Sequence, residues 1–260
     1  MILTIRDLTA SSFDRLPPAL DRHAALFLDV DGTLLEIAAR SDFVQVPPRL
    51  PALLVDLTER RDGALALISG RPLAELDRLF HPWRGAAAGV HGSERRRADG
   101  TLDHRTDSDA AAALDHIRPL LEALACGRDG LVLEDKRSAM ALHYRSAPDL
   151  AAEIHAFAEA LQREGDTALR LISGKMVVEF QPRGADKGAA IAAFLAEPPF
   201  LGRRPVFVGD DATDEDGFAE IERRSGIAIR VGPIAASTAR YRLPSVAAVL
   251  AWLAGRPESY

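Results

Sequence analysis

Apolar positions along the chain fall into two patterns. Short, largely unbroken apolar runs at 25–28, 64–68, 204–208 and 227–231 read as buried parallel strands, because each is brief and ends in turn chemistry. Between them apolar residues recur at helical spacing. Leu50, Leu53, Leu54 and Leu57 predict a helix over 47–61, its prolines tolerated in the first turn. Pro72 opens another helix, and more are expected over 186–196 and 245–253. A strand over 86–97 is expected to pair through Ala98, Asp99 and Gly100 with 101–105 as a hairpin. Residues 1–23 read as an irregular lead-in with a short helical piece, broken at Pro17 and Pro18, and 34–46 as a loop.

Between 107 and 181 the rhythm changes to helix-strand-strand, twice over, which predicts a separate small α+β domain inserted in a core formed by 1–106 and 182–260. Its helices are expected over 109–125 and 148–162, and its strands over 131–136, 139–145, 168–172 and 176–181. Strand alternation sends Met176, Val178 and Phe180 one way and Lys175, Val177 and Glu179 the other. In the same way Met140, Leu142 and Tyr144 oppose His143 and Arg145, and Glu134 aligns with Lys136. A four-stranded antiparallel sheet would thus carry Glu134, Lys136, Arg145, Lys175 and Glu179 on one surface, as a ligand-binding face or as an ordinary solvated one.

The strand ends hold the chemistry. After 25–28 come Asp29 and Asp31, with Gly32 allowing a sharp turn and Thr33 adding a hydroxyl. Two carboxylates this close repel each other unless a cation neutralises them, and a hard divalent ion such as Mg2+ takes carboxylates together with phosphate oxygens. Ser69, Gly70 and Arg71 follow the second strand, where a hydroxyl and helix-terminal N–H groups suit a phosphate oxygen or, alternatively, a helix cap. His91 and Glu94 lie beside Gly92 as further lining candidates. Lys187 sits at a helix start, and Asp210, Asp211, Asp214, Glu215 and Asp216 crowd the end of another strand. Some of these acids are expected to cap the helix beginning near Asp214 and others to serve a metal.

Composition narrows the classes. The 260 residues are long enough for one large domain with an insertion. A net charge of -6 and 6% aromatic residues argue against nucleic-acid binding, despite the run Arg95, Arg96, Arg97. No run is apolar and long enough to span a bilayer, and the charged N-terminal stretch does not read as a signal peptide, so a cytoplasmic protein without a membrane role is expected. The single cysteine, Cys126, leaves no intrachain disulfide and fits a reducing compartment. Of 32 basic residues only Lys136, Lys175 and Lys187 are lysines, so these sites invite the idea that a compact, mobile ammonium is needed there.

Parallel strands alternating with helices give an α/β, doubly wound sheet, whose ligands bind beyond the strands' carboxyl ends. Asp29 with Asp31, then Ser69, Lys187 and Asp210 resemble in order the four motifs of the haloacid dehalogenase (HAD) superfamily, with the small domain between the second and third. The closer likeness is to the trehalose-6-phosphate phosphatases. It rests on DVDGTL from Asp29, ISGR from Ile68, GVHGSE from Gly89, LEDKRSAMALHYR from Leu133, GKMVVEFQPRGADKG from Gly174 and GDDATDED from Gly209.

The resemblance implies a HAD-like core with a cap domain and a Mg2+-dependent phosphomonoesterase that works through an aspartyl-phosphate. Asp29 is implied as nucleophile, Asp31 as acid and base, and Ser69 and Lys187 as holders of the phosphoryl oxygens. Asp29, the Asp31 carbonyl and Asp210 would hold the metal, with Asp211 and Asp214 as further metal-shell candidates. Arg71, His91, Glu134, Lys136, Arg145, Lys175 and Glu179 would meet the substrate, a small sugar phosphate, with no obligate protein partner implied. The competing readings are another sugar-phosphate phosphatase or a phosphomutase on the same scaffold, and a non-catalytic sugar-phosphate sensor.

Overall fold

The computed structural model describes residues 15–37, 44–104, 108–136, 138–164, 168–174, 176–233 and 236–255, so the first 14 residues of the expected lead-in lie outside it. In chain order the core begins with β1 (Ala25–Leu28), α1 (Leu50–Glu59), β2 (Leu65–Ile68), α2 (Leu73–Phe80), β3 (Ala86–Gly89), β4 (Glu94–Arg96) and β5 (Leu102–His104). A second unit follows with α3 (Ser108–Ala125), β6 (Val132–Asp135), β7 (Met140–His143), α4 (Ala151–Glu164), β8 (Leu169–Gly174) and β9 (Val177–Pro182). The chain returns to the core through α5 (Lys187–Leu195), β10 (Pro205–Gly209), α6 (Glu215–Arg223), β11 (Ile227–Val231), β12 (Tyr241–Leu243) and α7 (Val246–Leu253). No helix among the described residues is long and apolar enough to cross a membrane.

The core sheet runs β12-β11-β10-β1-β2-β3-β4-β5, parallel as far as β3 and antiparallel at β4 and β5. Helices cover both faces, which is why its central strands read as continuous apolar runs. Leu26 and Leu28 of β1 pack with Leu54 of α1, Phe80 of α2 and Val249 of α7, while Ala25 and Phe27 face Ile191 and Phe194 of α5 and Phe218 of α6. Phe27 stacks on Phe200 with ring centroids 5.4 Å apart. All four β1 residues are fully buried, and each Leu or Phe so placed contributes about 1.5–3 kcal/mol. That packing fixes where β1 ends, and hence where Asp29 stands.

Two sequence expectations change. The strand expected over 86–97 is two strands, because Val90, His91 and Gly92 all adopt positive φ (45°, 53° and 105°) and turn the chain back on itself. For a β-branched residue such as Val90 this is a strained conformation, and it lies at the strand end facing the cavity described below. Strand β12 was not expected. Its three residues, Tyr-Arg-Leu, are too few to show a period, and pairing with β11 defines them.

The second unit is an antiparallel sheet, β6-β7-β9-β8, with α3 and α4 on one face. Leu114, Ile117, Leu121 and Ile154 pack there on Met140, Leu142, Val178 and Phe180, as the alternation predicted. On the other face Glu134, Ala141 and Glu179 stand in cross-strand register across β6, β7 and β9. This polar face looks onto the carboxyl ends of the core strands, with His91 Nε2 of the core 3.5 Å from Glu179 Oε1.

Candidate active site

Strand order reverses beside β1, since β10 lies on one side of it and β2 on the other. The crevice at such a switch point is where doubly wound sheets bind ligands. Asp29 leaves β1 there, Ser69 leaves β2, and Asp210 leaves β10. The chain beyond β1 turns at once: the Val30 carbonyl accepts N–H bonds from Leu34 and Leu35, both at 2.9 Å.

Lys187 joins these tips. It is the first residue of α5, whose N-cap Asp186 accepts the Ala189 N–H at 2.6 Å. Its Nζ donates to Asp29 Oδ1 at 2.7 Å and to Asp214 Oδ1 at 2.6 Å, and all three side chains are buried. The second oxygen of Asp214 accepts the backbone N–H groups of Asp210 and Asp211, both at 2.9 Å. Asp214 therefore anchors the lysine and shapes the acidic turn. Burial opposes the lysine's charge, yet Asp214 and Asp29 outweigh it and push its pKa above the usual value.

Asp29 feels the reverse balance. Burial raises its pKa well above the ordinary carboxylate range, Lys187 pulls it down, and Asp214 and Asp210 push it up again. Ligand oxygens of Asp29, Asp210 and Asp214 lie within 4.8 Å of one another. With all three carboxylates ionised, one ammonium would leave two negative charges in a buried site, the repulsion that raises Asp29, and all the donors are hard oxygens; the set fits a divalent cation such as Mg2+. Gly32 adds to the fit. Its φ is +85°, and a Cβ there would stand 2.2 Å from Asp210 Oδ2, so only glycine lets that carboxylate reach the cluster.

Asp31 is held apart from this cluster. Arg71 Nε and Nη2 donate to its two oxygens, each at 2.6 Å, while Arg71 Nη1 pairs with Glu75 one helical turn further on. The Asp31 side chain is 38% exposed, against 6% for Asp29. One carboxylate is thus sealed in the floor and the other reaches solvent. Arg71, expected to meet substrate, here clamps Asp31.

Ser69 is buried, and its Oγ accepts the Arg71 N–H at 3.1 Å, which sets the turn opening α2. His91 lies over that turn. A Cβ on Gly70 would stand 2.7 Å from His91 Nε2, so this glycine makes room for the imidazole.

Above the floor lies a cavity of about 710 Å3, lined by the predicted site residues within the described set except Asp214 and Glu94, whose carboxylate instead accepts the Leu73 N–H at the start of α2 at 2.9 Å. Lys136 Nζ donates to Glu179 Oε2 at 3.0 Å. Burial opposes the Glu179 charge, but His91 and Lys136 more than offset it and hold its pKa down to about 2. Arg145 lines the same space. Asp211 also borders it, yet its carboxylate caps the turn ahead of α6 by accepting the Ala212 N–H at 2.5 Å. Lys175 lies outside the described residues.

A family model described as trehalose-phosphatase matches residues 27–247. The chain belongs to the trehalose-phosphatase family. Among its relatives in this family, a probable trehalose-phosphate phosphatase of Sinorhizobium fredii is 46% identical over 228 residues, covering 86% of this chain and 84% of that one. The trehalose-6-phosphate phosphatase of Escherichia coli is 44% identical over 236 residues, covering 91% of this chain and 87% of the relative. In structure, the C-terminal domain of C. albicans trehalose-6-phosphate phosphatase superposes with a TM-score of 0.80 at 21% identity, over 95% of this chain and all of that one. The fold, a core sheet with a separate four-stranded antiparallel sheet, is also like that of a HAD-superfamily phosphatase of Bacteroides thetaiotaomicron, with a TM-score of 0.60 at 14% identity.

Two partners within this candidate site were not singled out from sequence. Glu75 stands at i+4 from Arg71, a helical spacing that could have flagged it. His143 pairs with Glu134 at 2.9 Å, a contact set by the β6–β7 register. Alternation placed the two on one face but could not say which neighbours touch.

Proposed function

We propose that this chain hydrolyses trehalose 6-phosphate to trehalose and inorganic phosphate through a phosphoryl group carried on Asp29. The observation that carries this reading is the pairing of a buried Asp29, bound by Lys187 at 2.7 Å, with an accessible Asp31 two residues on, at the floor of one cavity. Asp29 Oδ attacks phosphorus while the bond to the sugar oxygen breaks, and Asp31 gives that oxygen its proton. Asp31 then takes a proton from water, the water oxygen attacks phosphorus, and the bond to Asp29 breaks to release phosphate. Lys187 and Ser69 hold the phosphoryl oxygens, where charge spreads in the transition state. Mg2+, held by Asp29, Asp210 and the Asp31 carbonyl with Asp214 nearby, would neutralise the floor and polarise the phosphoryl group.

The substrate class follows from the roof. Glu134 and Glu179 accept hydrogen bonds from sugar hydroxyls, and Lys136 and Arg145 donate to hydroxyl or phosphate oxygens. A volume of about 710 Å3 lies in the range of small-molecule sites, about 300–1,000 Å3. The names borne by the relatives support trehalose 6-phosphate within that class.

The test is phosphate release from trehalose 6-phosphate beside glucose, sucrose and mannose 6-phosphates, with Mg2+ or with EDTA, in wild type and Asp29→Asn. Selective release from the trehalose ester is expected, lost in EDTA and reduced by at least about 10³-fold in the variant. Equal rates on all esters would remove the trehalose assignment, and an active Asn variant would remove the phosphoryl-aspartate.

A further inference from the structure

His143 donates through Nε2 to Glu134 Oε2 at 2.9 Å on the cavity face of the second sheet. The two lie diagonally, Val132 being opposite His143 and Ala141 opposite Glu134. The pair holds only one oxygen of Glu134, and Oε1 has no hydrogen bond among the described residues. Across the sheet a related pair holds Glu179. Lys136 holds Glu179 Oε2, while the buried Glu179 Oε1 has no hydrogen-bond partner. Glu134 is thus gripped by one basic group through one oxygen and offers the other, whereas Glu179 Oε1 already faces His91 Nε2 at 3.5 Å.

We infer that His143 is a positioning residue that holds the Glu134 carboxylate for a sugar hydroxyl, so that His143 sets affinity for the sugar part of the substrate while leaving phosphoryl transfer untouched. This rests on the sugar-phosphate reading above. Three features support it. An ionised carboxylate can only accept, so the imidazole nitrogen facing it must carry a proton, and the geometry sets which ring atom points at Glu134. The hydrogen bond from His143, set against burial, holds the Glu134 pKa below its usual value, so the acceptor form persists. The pair is exposed, 41% for His143 and 36% for Glu134, so it adds little to folding, and its cost in side-chain freedom gains a purpose if it orients Glu134 for a ligand.

The test measures KM and kcat of wild type, His143→Ala and His143→Gln on trehalose 6-phosphate and on p-nitrophenyl phosphate, which lacks a sugar. His143→Ala is expected to raise KM for the sugar ester about fivefold to tenfold, with kcat and the p-nitrophenyl phosphate rate unchanged. His143→Gln keeps a donor at a similar reach and is expected to restore most of the affinity. An unchanged KM in the Ala variant, equal losses on both esters, or no rescue by Gln would each overturn the inference. Wild type inactive on every sugar phosphate but active on p-nitrophenyl phosphate would overturn the sugar-phosphate reading itself.

Discussion

At the cavity floor the side chains of Asp29, Lys187 and Asp214 are 6%, 3% and 0% exposed, whereas Glu134 and His143 in the roof are 36% and 41% exposed. The floor is built at strand and helix tips packed from both sides, so its charges are desolvated and strongly coupled. The roof is a sheet face whose pairs are in part hydrated and weakly coupled. Under the proposed function the difference suits them to different work. Electrostatic stabilisation of a transition state gains most where water is excluded and the groups are already in place. Recognition of sugar hydroxyls needs acceptors that a ligand can reach.

The largest effect that would test this contrast is at Lys187. Lys187→Met leaves Asp29 and Asp214 buried without their shared cation, and a broken buried pair costs about 3–5 kcal/mol. A shift of that size in the denaturant midpoint is expected, with phosphate release down by at least about 10²-fold. If the variant kept wild-type stability, the floor would tolerate unpaired charge as the roof does, and the contrast would collapse.

Glu179 comes next, as the roof residue that behaves most like the floor. Its side chain is 9% exposed and its pKa is depressed from 4.5 to about 2. A depressed carboxylate adds stability that is fully present above the unfolded value of 4.5 and is lost as pH falls through the folded value of about 2. The full span is worth roughly 3 kcal/mol. Wild type should therefore lose stability between pH 4.5 and about 2, and Glu179→Gln should flatten that part of the profile. Chemical denaturation at pH 5.5 and pH 3 checks it. Equal acid dependence in both proteins would place Glu179 with the hydrated residues of the roof.

The same contrast explains what could be read in the sequence. The floor was legible because each of its residues sits next to a strong local signal: DVDGT after an apolar run, Ser-Gly-Arg before a helix, Asp-Lys-Gly at a helix start. The alternation in β7 and β9 was legible too, since one face had to bury Met140, Leu142, Val178 and Phe180. What escaped depends on geometry that no local pattern carries. The reversal at Val90–Gly92 runs through a β-branched residue with positive φ, against its propensity. The clamp of Arg71 on Asp31 spans 40 residues, and the His143–Glu134 contact needs the strand register. Asp211 read as one acid among five, and only the fold shows it capping a turn while Asp214 grips Lys187.

The smallest effect concerns the ion pair that ties roof to floor. Arg170 of β8 reaches Asp216 of α6 at 3.0 Å and the Ala185 carbonyl at 3.3 Å, beside the segment through which the chain re-enters the core. The two side chains are 25% and 48% exposed, so the pair is worth about 0.2–1 kcal/mol. For a chain of this size that is a fall of about 1–3 °C in Tm for Arg170→Ala, measurable by scanning calorimetry. Hydrolysis of p-nitrophenyl phosphate should not change, because the floor is held by β1, β10 and α5 without help from β8. The sugar ester gives the sharper reading. If roof and floor are independent units of recognition and chemistry, kcat/KM on trehalose 6-phosphate should fall by less than about threefold, in line with the small energy of one exposed pair. A loss above tenfold on that ester alone would mean that Arg170 sets the height of the roof over Asp29, and that recognition and chemistry are coupled through the re-entry segment.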